Sequence, residues 1–201
     1  MEASAPRHEP TIKGAMVREF LIWHAKKFGR ESTIDLLSGI PGKDYLDLDT
    51  GREVFGFLAN EWYPVVVVHS MLDRMEAIHG KAAMPGLIRE GTSYMVDATL
   101  RGIYRFLFRI MANPLSYSRH IQKAWRSLHS TGEREVILVG EGHAESTTRD
   151  WAGHHRWLCR TTSETMRRIF EIMGYTRVEL DIQQCVSDGD ALCRTVLLFS
   201  K

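Results

Sequence analysis

Three cysteines and a histidine in the C-terminal third could bind a metal ion. His155 lies four residues before Cys159, so on a helix the two side chains share a face. Cys185 and Cys193 flank the turn-forming segment 187–190. If both fall on one side of a sheet, their thiolates lie close enough for one ion, and Cys159 supplies a third ligand. With His155 the set would form a closed, structural zinc site.

The same residues also allow an explanation without metal. Free cysteines are often buried as ordinary apolar side chains, and these spacings contain no Cys-x-x-Cys pair. Cys159 and His155 could instead form a nucleophilic pair, but the sequence shows no third group to orient them. The spacings typical of serine hydrolases, zinc proteases and P-loop enzymes are missing too. The sequence therefore predicts a protein that is not an enzyme.

A stripe of arginines could bind an anion or an acidic partner. Arg101, Arg105 and Arg109 recur at every fourth position, and residues 98–132 contain no Asp or Glu. Such a face suits a phosphorylated ligand, an acidic protein surface or nucleic acid, or it is simply solvated. Because the net charge of the whole chain is only +1, we do not expect nucleic acid as the partner.

Length and composition describe an ordinary globular protein. The chain has 201 residues, of which 44% are hydrophobic and 25% charged, enough for one good core. No apolar run approaches the roughly 18 residues of a membrane span. Residues 1–10 lack the apolar segment of an export signal and carry two prolines, so we expect a flexible arm. A cytoplasmic location and reduced cysteines are therefore expected.

The elements that must position these residues are helical first and mixed afterwards. Apolar residues recur at helical spacing in residues 12–28, 62–79, 87–112 and 114–129. The run Val65–Val68 has high β-propensity, but with Pro64 near its start we interpret it as the beginning of a helix. These helices make up a helical part that spans residues 11–130.

After Gly132 the apolar period changes to two. Strands are predicted near residues 136–140, 144–148, 176–186 and 191–199, with a helix over 154–173. The fold class is therefore α+β, with an N-terminal helical bundle packed on a four-stranded antiparallel sheet and one helix between its two hairpins. Residues 131–201 form the sheet part, and residues 11–201 are predicted to be a single domain.

The C-terminal residues resemble a known family of sensor domains. Cys159, Gly174 and the segment from Val178 to Cys193 resemble 4-vinyl-reductase-type sensor domains. In zinc-binding members of that family, three cysteines and an acidic residue three positions before the second cysteine hold the metal. The resemblance implies the three cysteines here as ligands. Its acidic position falls on Ile182, which cannot bind metal, so His155 or Asp181 would have to substitute.

The N-terminal half has resemblances of its own. The segment Ile12–Gly14, Phe28-Gly29, Leu36-Leu37, Trp62–Pro64 and Trp125 are similar to a myxobacterial family of unknown function. Lys13-Gly14 through Gly29 also resembles the start of heme nitric-oxide-binding domains. With the transport-particle subunits of vesicle traffic, these families share one superfamily fold. That fold implies an enclosed apolar chamber and often a homodimer.

Together these features predict a sensory or regulatory module that binds a small, largely apolar ligand and signals through a homodimer or a partner protein. Helices 62–79 and 87–112 would wall the chamber, and we expect it to be lined by Trp62, Tyr63, Val67, Met71, Tyr104, Phe108 and Trp125. The alternative is an interaction scaffold with a filled core that binds an acidic partner or a phosphorylated ligand through the arginine stripe. An enzyme such as a reductase is suggested only by the name of the 4-vinyl-reductase family. No histidine stands out in an apolar helical setting, so the sequence does not favour heme.

Overall fold

The computed structural model describes residues 9–41, 55–101 and 113–201. The predicted arm lies outside this part except for its last two residues, and Tyr104, Phe108, Arg105 and Arg109 lie outside it as well. The helices are α1 (Gly14–Phe28), α2 (Arg30–Ser38), α3 (Val65–His79), α4 (Met84–Arg101), α5 (Pro114–Leu128) and α6 (Arg156–Ile172). Among them, none combines the length and apolar character that crossing a membrane requires.

The sheet of the C-terminal part has the predicted architecture. Its strands are β3 (Glu133–Gly140), β4 (His143–Arg149), β5 (Arg177–Gln184) and β6 (Cys193–Ser200). All neighbours are antiparallel in the order β3-β4-β6-β5, so the hairpins β3–β4 and β5–β6 are joined through α6. Helix α6 covers one face, where Phe170 packs with Val136 and Leu197. The α+β prediction is confirmed.

A second, very short sheet marks the start of α3. Strand β1 (Thr11–Lys13) pairs with strand β2 (Trp62–Pro64), so residues 62–64 are extended rather than helical as the sequence suggested. The reason is local, because Pro64 has an extended ψ of 132° and the helix begins only at Val65. The N–H of Val65 donates to the Pro10 carbonyl oxygen at 2.9 Å. The prediction that Val65–Val68 is helical is confirmed.

Helices α4 and α6 are joined by charged side chains. Arg168 donates from Nε and Nη2 to the two carboxylate oxygens of Asp97 at 2.9 and 2.8 Å. The preceding residue, Arg167, is buried against Glu164 at 2.6 Å and reaches Ser93 of α4 at 3.1 Å. A two-pronged guanidinium–carboxylate pair fixes orientation as well as distance. This contact therefore fixes the position of α6, which belongs to the sheet part, against α4 of the helical part.

Helix α4 approaches α1 closely through a glycine. A β-carbon on Gly91 would lie 2.5 Å from Cε2 of Phe20 and 2.7 Å from Cε3 of Trp23. These distances are far below van der Waals contact, so only a glycine admits the two aromatic rings. Gly86, in the first turn of the same helix, faces open space.

The two glycines of α4 give a matched test of this packing. We expect Gly91→Ala to lower the free energy of unfolding by about 1–3 kcal/mol, because the added methyl group overpacks the core. Gly86→Ala should leave it unchanged or raise it by up to about 1 kcal/mol, because alanine favours the helix. Urea denaturation of both variants measures the difference. Equal stability of the two would contradict the close approach.

Candidate functional site

Three thiols and one imidazole converge where α6 begins beside the β5–β6 turn. The Sγ atom of Cys193 lies 3.5 Å from Sγ of Cys159 and 3.7 Å from Sγ of Cys185. The Nδ1 atom of His154 lies 3.5 Å from Sγ of Cys159 and 3.4 Å from Sγ of Cys193. We call these four residues the thiol cluster. The donor atoms of His154, Cys159 and Cys193 all lie within 4.8 Å of one another, close enough to surround a single ion, and Cys185 is the neighbour that would complete a tetrahedral set.

The histidine of the cluster is His154 rather than the predicted His155. His155 precedes the first helical residue and has an extended backbone, so the four-residue helical spacing to Cys159 does not apply to it. Its Nε2 lies 3.0 Å from the carboxylate of Asp73, and its ring stacks on His69. The structure therefore brings the three predicted cysteines together and replaces the predicted histidine with its neighbour.

The thiols of the cluster share protons with one another. Hydrogen bonds with Cys159 and Cys193 lower the pKa of Cys185, and the Ser187 hydroxyl at 2.8 Å from its sulfur adds to this. The hydrogen bonds with Cys185 and Cys193, together with burial, raise the pKa of Cys159. One thiolate is thus easy to form here, whereas three thiolates at these distances require a cation between them.

A second candidate site is an apolar cavity of about 90 Å³ among α1, α4, α5 and α6. Its walls are mostly aliphatic and aromatic, with a few polar groups among them. It is lined by Met16, Met95, Val96, Thr99, Leu100, Tyr117, Ile121, Ala124, Trp125, Leu128, His129, Arg134, Thr162, Thr165 and Ile169. Concave apolar space with a few convergent polar groups is the usual form of a small-molecule site. We call it the α4–α6 cavity.

Several polar atoms in the wall of the α4–α6 cavity are buried without a described partner. The hydroxyl oxygen of Tyr117, Nδ1 of His129 and the hydroxyl oxygen of Thr99 have no hydrogen bond to residues that the structure describes. Burial raises the pKa of Tyr117 and lowers the pKa of His129 to about 3, so both groups are neutral at pH 7. An unpaired buried polar atom costs about 1–3 kcal/mol, and most such atoms in proteins have partners.

The remaining polar group of the cavity wall is the guanidinium of Arg134. Its Nε donates to Ser146 at 3.3 Å and its Nη2 to the Thr162 carbonyl oxygen at 3.0 Å, while its Cζ lies 5.5 Å from the Trp125 ring centroid. Within the described ranges, no carboxylate lies within ion-pair distance of Arg134, although the side chain is buried. A positive charge without a described counter-charge therefore faces an apolar space.

The predicted chamber residues are dispersed. Trp125 lines the α4–α6 cavity, and Met71 borders a smaller space of about 30 Å³. Tyr63 and Val67 are packed in the core, whereas Trp62 is 40% exposed and lies beneath the Lys13 ammonium group. Tyr104 and Phe108 lie outside the described residues. The chamber therefore sits further toward α5 and α6 than the sequence suggested.

The polar groups in the wall of the α4–α6 cavity were not among the predicted site residues. Tyr117, His129 and Arg134 belong to no motif, and a single arginine in a strand is normally placed on the solvent side. One signal was available: Arg134 alternates with Glu133 and Glu135 and shares a face with Val136, which places it inward. Of the predicted arginine stripe, Arg101 is exposed at the end of α4, and the other members lie outside the described residues.

Solved structures share this fold over nearly the whole chain. An H-NOX protein from S. oneidensis in the Fe(II)NO ligation state superposes with a TM-score of 0.74 at 9% identity, covering 94% of this chain and 100% of that one. Unliganded Fe(II) H-NOX from K. algicida gives 0.67 at 13% identity, covering 94% and 97%. No family model and no curated protein matches this chain. At such identities, the likeness establishes the fold.

These comparisons confirm one expectation and overturn another. The fold of heme nitric-oxide-binding domains is confirmed, while the resemblance to 4-vinyl-reductase-type and myxobacterial proteins stays a prediction. The interpretation that disfavoured heme and named zinc as the candidate cofactor is contradicted. The structural neighbours of this chain are iron-containing H-NOX proteins, one of them from work on heme distortion in that family.

The burial of His129 predicts a pH dependence of stability. Its pKa falls from 6.5 to about 3 on folding, so between these values the unfolded chain binds a proton that the folded chain does not. Stability from this residue is complete above about pH 6.5 and falls as the pH drops, by about 2 kcal/mol at pH 5. His129→Phe keeps the stacking on Trp125 and removes the titration. Urea denaturation at pH 7 and pH 5 measures the stability that each protein loses between these pH values. We expect His129→Phe to lose less than the wild type by about that amount. An equal loss in both proteins would contradict the burial of His129.

Proposed function

We propose that this chain is a sensor domain that binds a small, largely apolar ligand in the α4–α6 cavity and passes its occupancy to a partner protein. One observation carries the proposal: an apolar cavity in whose wall the Tyr117 hydroxyl and the His129 imidazole nitrogen lack partners among the described residues. A ligand would satisfy these atoms and fill the space. The fold supports the proposal, since the S. oneidensis H-NOX protein with this fold is described with bound NO.

Heme is the group that the solved structures of this fold imply. In the described part of the chain, His129 is the histidine that lines the cavity, and its Nδ1 offers a nitrogen donor. However, the cavity measures about 90 Å³, whereas pockets for drug-sized ligands measure roughly 300–1,000 Å³. Trp125 already covers one face of the His129 ring at 3.9 Å. The residues that the structure describes, as arranged, do not fit heme, and no step of the proposed function passes through it.

Transmission of the signal would use the helices that line the cavity. Both α4 and α6 contribute lining residues, and the Asp97–Arg168 pair joins them. A ligand that binds one arrangement of these helices better than another shifts the population toward it. A homodimer or a signalling partner that contacts α4 or α6 would detect that shift. The alternative of a scaffold with a filled core has less support, because the side chains that the structure describes leave this cavity open.

Filling the cavity tests the proposed binding site. Toluene is a small uncharged probe, and we expect it to raise the melting temperature of the wild-type protein, because it binds only the folded state. Ala124→Leu places a larger side chain in the cavity and should abolish this shift. Lys123→Ala, on the exposed face of the same helix, should retain it. If toluene gives no shift in the wild type, or the same shift in Ala124→Leu, the cavity is not the binding site.

We also propose that the thiol cluster can act as a set of metal ligands, a question separate from the cofactor that the solved structures imply. The support is geometric: His154, Cys159 and Cys193 have donor atoms within 4.8 Å of one another, and the Sγ atom of Cys185 lies 3.7 Å from that of Cys193. The ion would link the start of α6 to the β5–β6 turn and remove the repulsion between thiolates. Its role would be structural, because four protein ligands leave no open position.

Metal analysis of purified variants tests which residues bind the ion. We expect about one metal ion per wild-type chain, and much less in Cys185→Ser and His154→Ala, since each removes a ligand. His155→Ala is the matched control and should retain the metal, because that ring faces Asp73. Elemental analysis by mass spectrometry identifies the ion at the same time. Metal that survives both ligand substitutions, or that depends on His155 instead, would refute the assignment.

A further inference from the structure

Two arginines are buried in the described part of the chain, and they differ in their partners. Arg167 is 5% exposed and pairs with Glu164 at 2.6 Å and with Glu171. Arg134 is 6% exposed, and no described carboxylate pairs with it. Buried charges in proteins are normally paired or neutralised, and a guanidinium cannot lose its proton at ordinary pH. The counter-charge that Arg134 needs is therefore one that a ligand could supply.

The groups around Arg134 are hydrogen-bond donors directed at the same cavity. The Tyr117 hydroxyl can donate its proton, and the neutral ring of His129 can donate from Nδ1 in the appropriate tautomer. Burial is the larger effect: it raises the pKa of Tyr117 and lowers the pKa of His129. The positive charge of Arg134 lowers the pKa of both. Most of the remaining wall is apolar, including Met95 and Ile121. Donors near one positive charge, with mainly apolar side chains elsewhere, suit an amphipathic anion.

We propose that the ligand of the α4–α6 cavity is a small apolar carboxylic acid, bound as its carboxylate with the charged end at Arg134 and Tyr117. This inference rests on the proposed function and specifies the class of ligand for the same site. The apolar body of the acid would lie between α4 and α5. No covalent step is involved, and the ligand enters and leaves unchanged.

Charge and size both favour a monocarboxylate. Arg134 provides one positive charge, and two of its nitrogen atoms already donate to Ser146 and Thr162, while His129 stays neutral. A doubly charged phosphate would be left with an uncompensated charge in an apolar space. An apolar cavity of about 150 Å³ in another protein holds benzene. The cavity here, of about 90 Å³, is smaller, so a short alkyl chain fits it as it stands and a single ring fits only when lining side chains shift outward.

Calorimetric titration with benzoate, benzyl alcohol and toluene tests the inference. These probes share the ring and differ in the head group. We expect benzoate to bind the wild-type protein at least about tenfold more tightly than benzyl alcohol, because only the carboxylate carries a charge opposite to that of Arg134. Tyr117→Phe should weaken benzoate about five- to tenfold by removing one donor, and leave toluene unchanged.

Two arginine variants complete the test. Arg134→Gln should remove the preference for benzoate over benzyl alcohol, and Arg134→Lys should keep part of it, because the charge remains. Arg126→Gln, exposed on α5, is the control for general attraction of anions and should keep the full preference. If Arg134→Gln does not fold, Tyr117→Phe and Arg134→Lys still decide the question.

The outcomes separate this inference from the proposed function. Benzoate that binds more tightly in a manner dependent on Arg134 and Tyr117 supports both. Toluene binding without a preference for benzoate overturns the acid and leaves the ligand-binding cavity standing. If Arg126→Gln also removes the preference for benzoate, the acid site is overturned, because the preference would then reflect surface charge. Failure of all three probes to bind overturns the cavity and the acid together.

Discussion

A buried positive charge without a carboxylate partner among the described residues organises the interior between α5, α6 and the sheet. Arg134 enters this space because it occupies an inward position of β3. Its hydrogen bonds to Ser146 and Thr162 hold the guanidinium in place, but neither acceptor carries a negative charge. That charge and the burial together keep His129 neutral. The polar part of the cavity wall, and with it the class of molecule that can bind, follows from this one constraint.

Helix α6 connects both candidate sites to the contact with the N-terminal helices. Cys159 in its first turns belongs to the thiol cluster, the Thr162 carbonyl oxygen accepts from Arg134, and Arg168 near its end binds Asp97 of α4. A rigid helix transmits small rotations along its length. An ion in the cluster would fix the start of α6. A ligand in the cavity would then rotate α6 about this fixed end.

Sequence periodicity predicted the architecture because its signals are local. The alternation in β3 and the turn at Gly189, whose φ is 101°, placed two hairpins around α6 and hence Cys185 near Cys193. The prediction of His155 as a ligand used the helical spacing to Cys159. His155 lies before the first helical residue, so that spacing does not apply to it. Tyr117 and Arg134 were missed, because their burial depends on how α5 and α6 pack on the sheet, which no local pattern encodes.

An experimentally determined structure of the protein soaked with benzoate is the most direct test of the central claim. The account predicts electron density for a ring in the α4–α6 cavity, with a carboxylate oxygen within hydrogen-bond distance of the Arg134 guanidinium and the Tyr117 hydroxyl. Density for an acidic side chain of the chain itself at Arg134, with the cavity closed to the acid, would contradict it.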